Sequence, residues 1–378
     1  MMKDKFSSIN GLRAISIIIA LIHHIELKYE IFNPVRGVKF LYPVINLLTD
    51  GHFGVNVFFV ISGFLITSLM LQEEEKTKKV SLKNFYIRRT LRIFPAYYFL
   101  LLFYFVVQQY GIISISKESW LTSLTYTKYF NWNLDWDTGH FWSLSVEEHF
   151  YLFWPMVFVF AKKARNYVAM SLFFIVPFVR VFAHYHTVSW LNDLTIFLRI
   201  DAIAIGCVFA LNKDLIVRWL SKRWSLVFWV SLAVLFCWTN IGLLSYQSKL
   251  HSGPLFIPLG IGDGTIANMV IAVVMMYSVF GPRKQWYKFL NLKWMNFIGI
   301  LSYSIYLWQQ FFLNKTDHVY NSFPVSVLFV AMASLFSYYL IEKPFLKLKS
   351  RFSKTNAARR RQKIPGGLLG VKPAEKIY

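Results

Sequence analysis

An all-α membrane protein, one bundle of about ten transmembrane helices, is the fold class that the sequence predicts. Composition is the first sign. Of 378 residues, 56% are hydrophobic and 16% are charged, and the mean hydropathy is +0.43. A soluble domain carries roughly 25% charged residues. Spacing is the second sign: apolar runs of roughly 20 residues, the length that crosses a bilayer, recur along the chain. The third is where the charge lies. The net charge of +22 sits in short loops between apolar runs, which is a membrane topology rather than a nucleic-acid footprint. No nucleic-acid partner is expected.

In chain order the apolar runs are 11–29, 52–71, 93–113, 141–160, 167–187, 193–211, 225–245, 262–280, 296–314 and 323–341. The first begins near Arg13, lacks a small-residue cleavage site and is followed by more runs, so it does not read as a cleaved signal. Arg180, Asp193, Arg199 and Asp201 interrupt the fifth and sixth. With the N-terminus inside, the inner segments hold 32 Lys and Arg and the outer segments 7. That bias places both termini in the cytoplasm and the chain in the plasma (inner) membrane as a multi-pass protein. An odd number of helices would scramble it. Residues 1–345 form the transmembrane domain. Residues 346–378 read as a basic cytoplasmic tail, disordered or facing membrane lipid. The longest outer loops, Glu30–Gly51 and Ser114–Gly139, are too short for a folded outer domain. Cys207 and Cys237 each fall within an apolar run and read as small core residues. There is no disulfide framework and no metal-ligand spacing, so no metal is expected.

Chemistry concentrates in a few stretches. Gly139–Pro155 places adjacent carboxylates, Glu147 and Glu148, at the head of an apolar run, and an intramembrane acid marks function by default. Ser143, Glu147 and Tyr151 are spaced i, i+4 and share a face, whereas Glu148 points about 100° away. In the first helix, Arg13 and His24 are eleven residues apart. They share one face and are separated by about 16 Å of helix rise. A histidine titrates near neutrality, so it can take a hydroxyl proton and return it to a leaving thiolate. A nearby carboxylate would fix its tautomer. Arg88 and Arg92 project together from the start of the third helix, next to Arg89, and guanidinium forks match phosphate oxygens. Ser62 and Gly63 are small residues in an aromatic span. Arg199 and Asp201, two apart, must each find a different partner. Asp263 marks an outer helix start. Ser302–Gln309 gives a polar, aromatic face suited to line a tunnel, with Tyr303 and Trp308 on it. No nucleotide-binding or metalloprotease motif is present, which argues against an ATP-driven pump.

Together these stretches resemble the acyltransferase-3 family of integral membrane O-acyltransferases. The resemblance runs through Gly11–Arg13 with His24, Gly54–Phe64, Arg88–Pro95, Trp142–Tyr151, Arg199–Ala202, Ser302–Trp308 and Glu342–Phe345, in the family's order. It implies a bundle of about ten helices that moves an acetyl group from cytoplasmic acetyl-CoA to a carbohydrate hydroxyl at the outer face. It implies roles for His24 and Arg13 as the essential pair of the first helix. Arg88, Arg89 and Arg92 then match the basic entry for the CoA phosphates, and Glu147 and Glu148 the acidic pair. Ser62, Arg199, Asp201, Tyr303 and Trp308 become substrate or tunnel candidates. Three positions depart from the family pattern: Asn56 replaces a common aspartate, His149 a glutamine, and Gln309 a histidine. The esterase-like domain fused to some relatives has no counterpart in these residues, so transfer is expected to finish elsewhere or within the bundle.

The expected function is therefore O-acetylation of a cell-surface or lipid-linked glycan, with His24 as base or transient acyl carrier and Glu147 or Glu148 orienting it. The alternative from another class is an exporter or flippase of glycans or lipid-linked sugars, because intramembrane His, Glu, Arg and Asp also mark proton relays. The arginine cluster favours the enzyme, since an exporter has no need of a phosphate clamp. An inactive scaffold is a third reading, against which the intact His24 and both glutamates stand.

Overall fold

The computed structural model describes residues 6, 8–36, 38, 41–130, 135–185, 195–247, 264–314, 319–349 and 352. Among these residues all regular structure is helical. The long helices are α1 (Ser8–Tyr29), α2 (Gly51–Thr77), α3 (Leu82–Gln109), α4 (Phe141–Phe160) and α5 (Arg165–Tyr185). They continue with α6 (Thr195–Leu211), α7 (Trp224–Gln247), α8 (Thr265–Phe280), α9 (Lys293–Phe312) and α10 (Val325–Lys349). Each expected apolar run coincides with one of them.

The helix ends differ from the ends of the apolar runs. A charge stops an apolar span but not a helix. α2 continues through Glu73–Lys76 and stops at Lys78, whose φ of 61° turns the chain out of the helix. α3 starts at Leu82 because the Ser81 side chain accepts a hydrogen bond from the Asn84 N–H, an N-cap that satisfies an orphan donor. The arginines of 88–92 are thus in the second and third turns of a helix, not in a loop before it.

Four helices, α1, α2, α3 and α10, are by themselves long and apolar enough to cross a membrane. A fifth counts if Lys213–Ser221 and the first part of α7, bent by 102°, form one span. The expected ten therefore exceeds what length and composition alone support. α6 and α8 are short, at 17 and 16 residues. α4 and α9 exchange apolar residues for Ser, Glu, His, Gln and Tyr where the polar interior lies. The bundle's exterior is apolar: Leu102, Phe105, Phe153, Phe178 and Trp229 are all more than half or about half exposed. A soluble surface does not carry so extended an apolar patch, and this is a membrane protein. Cys207 is buried as expected, but Cys237 faces outward on α7, because an apolar run in a membrane bundle has a lipid side as well as a core side. Asp193, Asp263, the side chain of Arg180 and the tail beyond 352 lie outside the described residues.

Small residues bring the helices together. At Gly63 of α2 an added Cβ would collide with the Ile203 carbonyl of α6, and at Gly206 of α6 with the Val60 carbonyl of α2. At Gly299 of α9 it would collide with the Asn10 carbonyl of α1. Close backbone approach at small residues is how helices associate when lipid and side chains are equally apolar. The Ser62–Gly63 pair thus does both things open to it: Gly63 packs and Ser62 faces a cavity.

Gly63→Leu is expected to destabilise the bundle by at least about 1–3 kcal/mol, because backbone at Ile203 cannot swing away as a side chain can. Thermal unfolding of the detergent-solubilised protein measures it. Phe160→Leu, at an exposed position, is the control and should leave the midpoint nearly unchanged.

Candidate active site

A cavity of about 730 Å³ lies among α1, α2, α3, α4, α9 and the end of α10. Eight of the twelve site candidates line it, Arg13, Ser62, Arg88, Arg89, Arg92, Glu147, Glu148 and Tyr303, together with Ser143 and Tyr151 of the Glu147 face. Lys76, Glu73 and Lys349 complete its charged wall. Six cations thus face three carboxylates. One of those carboxylates is committed, since Arg88 pairs with Glu73 at 2.8 Å. Among the described residues no ion pair holds Arg13, Arg89 or Arg92. Arg89 lies over the Tyr151 ring, 4.2 Å from its centroid. The cavity therefore offers unneutralised guanidinium groups in an apolar surround, where an anion is bound far more strongly than in water.

The acidic pair divides its labour. Glu147 accepts hydrogen bonds from Ser62 Oγ at 2.8 Å and from Tyr151 O–H at 3.1 Å. The second of these is the i, i+4 contact expected on α4. Glu147 also interacts electrostatically with Arg89 and Arg13, and Glu148 with Arg89. Tyr303 donates to the Ile93 carbonyl at 3.0 Å and so braces α9 against α3. Glu342, in the C-terminal Glu-Lys-Pro-Phe stretch, is buried in a π-helical turn and accepts from Ser304. It interacts electrostatically with Arg13 and Arg92.

His24 is not in this cavity. It lines a second one, about 230 Å³, with His23, His52, His140, Trp136 and Trp142. Val55 and Tyr306 line both and form the wall between them. Arg13 and His24 therefore face successive compartments along one face of α1, as their spacing implies. Among the described residues no hydrogen bond or ion pair joins His24 to Glu147 or Glu148. Its Nδ1 lies 2.8 Å from the Ala20 carbonyl one turn back. A carbonyl only accepts, so Nδ1 carries the proton and Nε2 keeps its lone pair. The tautomer is fixed by the backbone of α1 itself, in place of the expected carboxylate.

The remaining candidates separate. Arg199 sits by the second cavity, 5.8 Å above the Trp142 ring and 3.5 Å from His52 Nδ1. Asp201 is fully buried and accepts from Thr265 Oγ1 at 2.6 Å and Asn268 Nδ2 at 3.2 Å. The two do find different partners. Asp201 and Trp308 line neither cavity, and Trp308 packs on Phe103 at 4.9 Å between centroids. The sequence reading gave His140 no role, included Tyr306 only within the Ser302–Gln309 face, and put Lys349 in a tail, whereas Lys349 ends α10 at the cavity wall. Tyr306 falls three residues after Tyr303, so the helical period could have found it. His140 stood in the Gly139–Pro155 stretch, where the carboxylates drew the eye. Among the described residues no group of three or more His, Cys, Asp or Glu is placed to hold a metal ion.

Within the bundle a cationic cavity thus adjoins a histidine-lined one across Val55 and Tyr306. Residues 6–342 match the family described as "Acyltransferase domain", and the chain belongs to that family. O-acetyltransferase OatA of Staphylococcus aureus is 29% identical over 90% of this chain and 57% of its own length. Peptidoglycan O-acetyltransferase OatA of Listeria monocytogenes is 25% identical over 82% of this chain and 50% of its own. A putative O-acetyltransferase of S. aureus is 25% identical over 90% and 57%. The chain spans about half the length of these curated relatives. No solved structure matches it.

Inorganic pyrophosphate is expected to stabilise the solubilised protein thermally. At a hundredfold excess over its Kd the gain is about 2.7 kcal/mol. Arg92→Ala should abolish most of it, and added salt should shrink it. Differential scanning with and without pyrophosphate tests both.

Proposed function

We propose that this protein is a multi-pass O-acetyltransferase of the plasma membrane. It takes an acetyl group from cytoplasmic acetyl-CoA and delivers it to a hydroxyl of a cell-envelope carbohydrate, either surface glycan or a lipid-linked precursor. The observation that carries this reading is the pair of adjoining cavities, one lined by unpaired arginines and the other by His24, with Tyr306 between them. All ten long helices cross the bilayer, with both termini and the arginine cavity on the cytoplasmic side. Residues 1–345 are the transferase domain. Residues 346–349 complete α10 and bring Lys349 to the cavity wall, and the strongly basic sequence that follows suits anionic lipid.

The donor's phosphates bind Arg13, Arg89 and Arg92, with Arg88 kept in place by Glu73. Its thin pantetheine arm runs between Glu147–Tyr151 and Tyr303 toward Tyr306, so that the thioester meets His24. The basic Nε2 of His24 accepts the acceptor's hydroxyl proton while that oxygen attacks the thioester carbonyl carbon. The carbon–sulfur bond breaks, and the proton passes to the departing thiolate. Glu147, fixed by Ser62 and Tyr151, holds Arg89 and Arg13 in the donor cavity. Glu148 adds a second counter-charge for Arg89. A relative is named for peptidoglycan, which supports a glycan acceptor here.

Membranes containing the protein are incubated with radiolabelled acetyl-CoA on the cytoplasmic side. Wild type should label a glycan. His24→Ala should lose about 10²–10⁴-fold, the usual worth of a general base, while still binding CoA. Equal labelling by both proteins would refute the role of His24.

A further inference from the structure

The second cavity contains a buried histidine for which the transfer chemistry above has no use. His140 is only 4% exposed, and neither ring nitrogen has a hydrogen-bond partner. The Leu307 backbone and the Gln310 side chain lie near the ring without satisfying it. The backbone of the same residue is fully engaged. Its N–H donates to Gln310 Oε1 at 3.1 Å, and its carbonyl accepts from Tyr306 O–H at 2.8 Å. Tyr306 is in turn held by Ser143 Oγ at 2.6 Å. Trp136, four residues earlier, donates its indole N–H to the Gln310 carbonyl at 3.0 Å. The fold thus fixes the position of His140 firmly and leaves its imidazole unspent. Burying a polar ring without partners is costly, and groups so placed in a cavity are satisfied by what enters it.

The chemistry around the ring identifies the visitor. Trp136 and Trp142 supply broad apolar faces, and His24, His140 and Gln310 supply hydrogen-bonding groups. Apolar faces with a few convergent polar groups form a pocket for a small organic ligand. Among the described residues that line the cavity one is a carboxylate, Asp135, and it already accepts from Ser116 N–H and Oγ. At about 230 Å³ the cavity is smaller than the roughly 300–1,000 Å³ of drug-sized pockets. It accommodates one sugar unit or a hydroxymethyl arm, not a length of glycan.

We propose that this cavity is the acceptor subsite and that His140 is its acceptor-binding residue, hydrogen-bonding a carbohydrate hydroxyl and turning it toward His24. The inference rests on the acetyl transfer proposed above. His140 binds and orients, and His24 takes the proton.

The test uses membranes of the full chain, acetyl-CoA, and soluble chitotriose as the acceptor probe. Wild type, His140→Phe and His140→Gln are compared for the acceptor KM, for kcat, and for acetyl-CoA affinity. His140→Phe should raise the acceptor KM about tenfold or more and leave acetyl-CoA affinity unchanged. His140→Gln, which keeps a donor and an acceptor, should stay within about threefold of wild type. An unchanged acceptor KM in His140→Phe overturns the inference. Loss of acetyl-CoA binding in both variants does so as well, because it makes His140 structural. If wild type acetylates chitotriose, the underlying reaction stands whatever the variants do. If it acetylates neither chitotriose nor membrane glycan, that reaction falls and the inference falls with it.

Discussion

A guanidinium inside an apolar bundle must be compensated, and the rest of the structure is arranged around that demand. Arg13, Arg89 and Arg92 come from two helices and face one cavity without an ion pair among the described residues. Their neighbours moderate the charge and do not cancel it. Glu147 is tied to Ser62 and Tyr151, Glu342 to Ser304, and Arg89 rests on the Tyr151 ring. Leaving a buried charge without a partner is expensive, so this excess of cation favours an anion in the cavity. In the proposed reaction the phosphates of acyl-CoA would meet that requirement and bring the reacting group with them.

The second constraint is geometric. α1 carries Arg13 and His24 on one face, about 16 Å apart by helix rise. α9 carries Tyr303 toward the arginines and Tyr306 at the partition. α4 presents Glu147 to one cavity and, through His140 at its start, a histidine to the other. With α2, which lends His52 to one cavity and Ser62 to the other, four helices bridge both compartments, and small residues such as Gly63, Gly206 and Gly299 hold the frame close. The proposed donor and acceptor sites lie on opposite sides of one tyrosine, an arrangement that would let a group cross while the polar headpiece stays behind.

Much of this was legible in the sequence. The lengths of the apolar runs located each long helix among the described residues, because roughly 20 apolar residues are what a bilayer asks of a helix. Intramembrane charge located the cavity residues, because such charges are too costly to be idle. Helical spacing foretold the Glu147–Tyr151 bond and the shared face of Arg13 and His24. What spacing within one helix cannot reveal is which helices meet. It therefore offered Glu147 or Glu148 as the partner of His24, when the Ala20 carbonyl fills that place. It gave Trp308 and Asp201 the same standing as Tyr303, although they pack elsewhere. It passed over His140 and Tyr306, whose importance comes only from standing at the wall of a cavity.

The most direct measurement is an experimental structure of the protein with a non-hydrolysable acetyl-CoA analogue. The account predicts phosphates on Arg13, Arg89 and Arg92, and the acyl carbonyl beside Tyr306, within reach of His24 Nε2. Phosphates bound away from those arginines, or an acyl group that ends short of the partition with His24 remote from it, would contradict it.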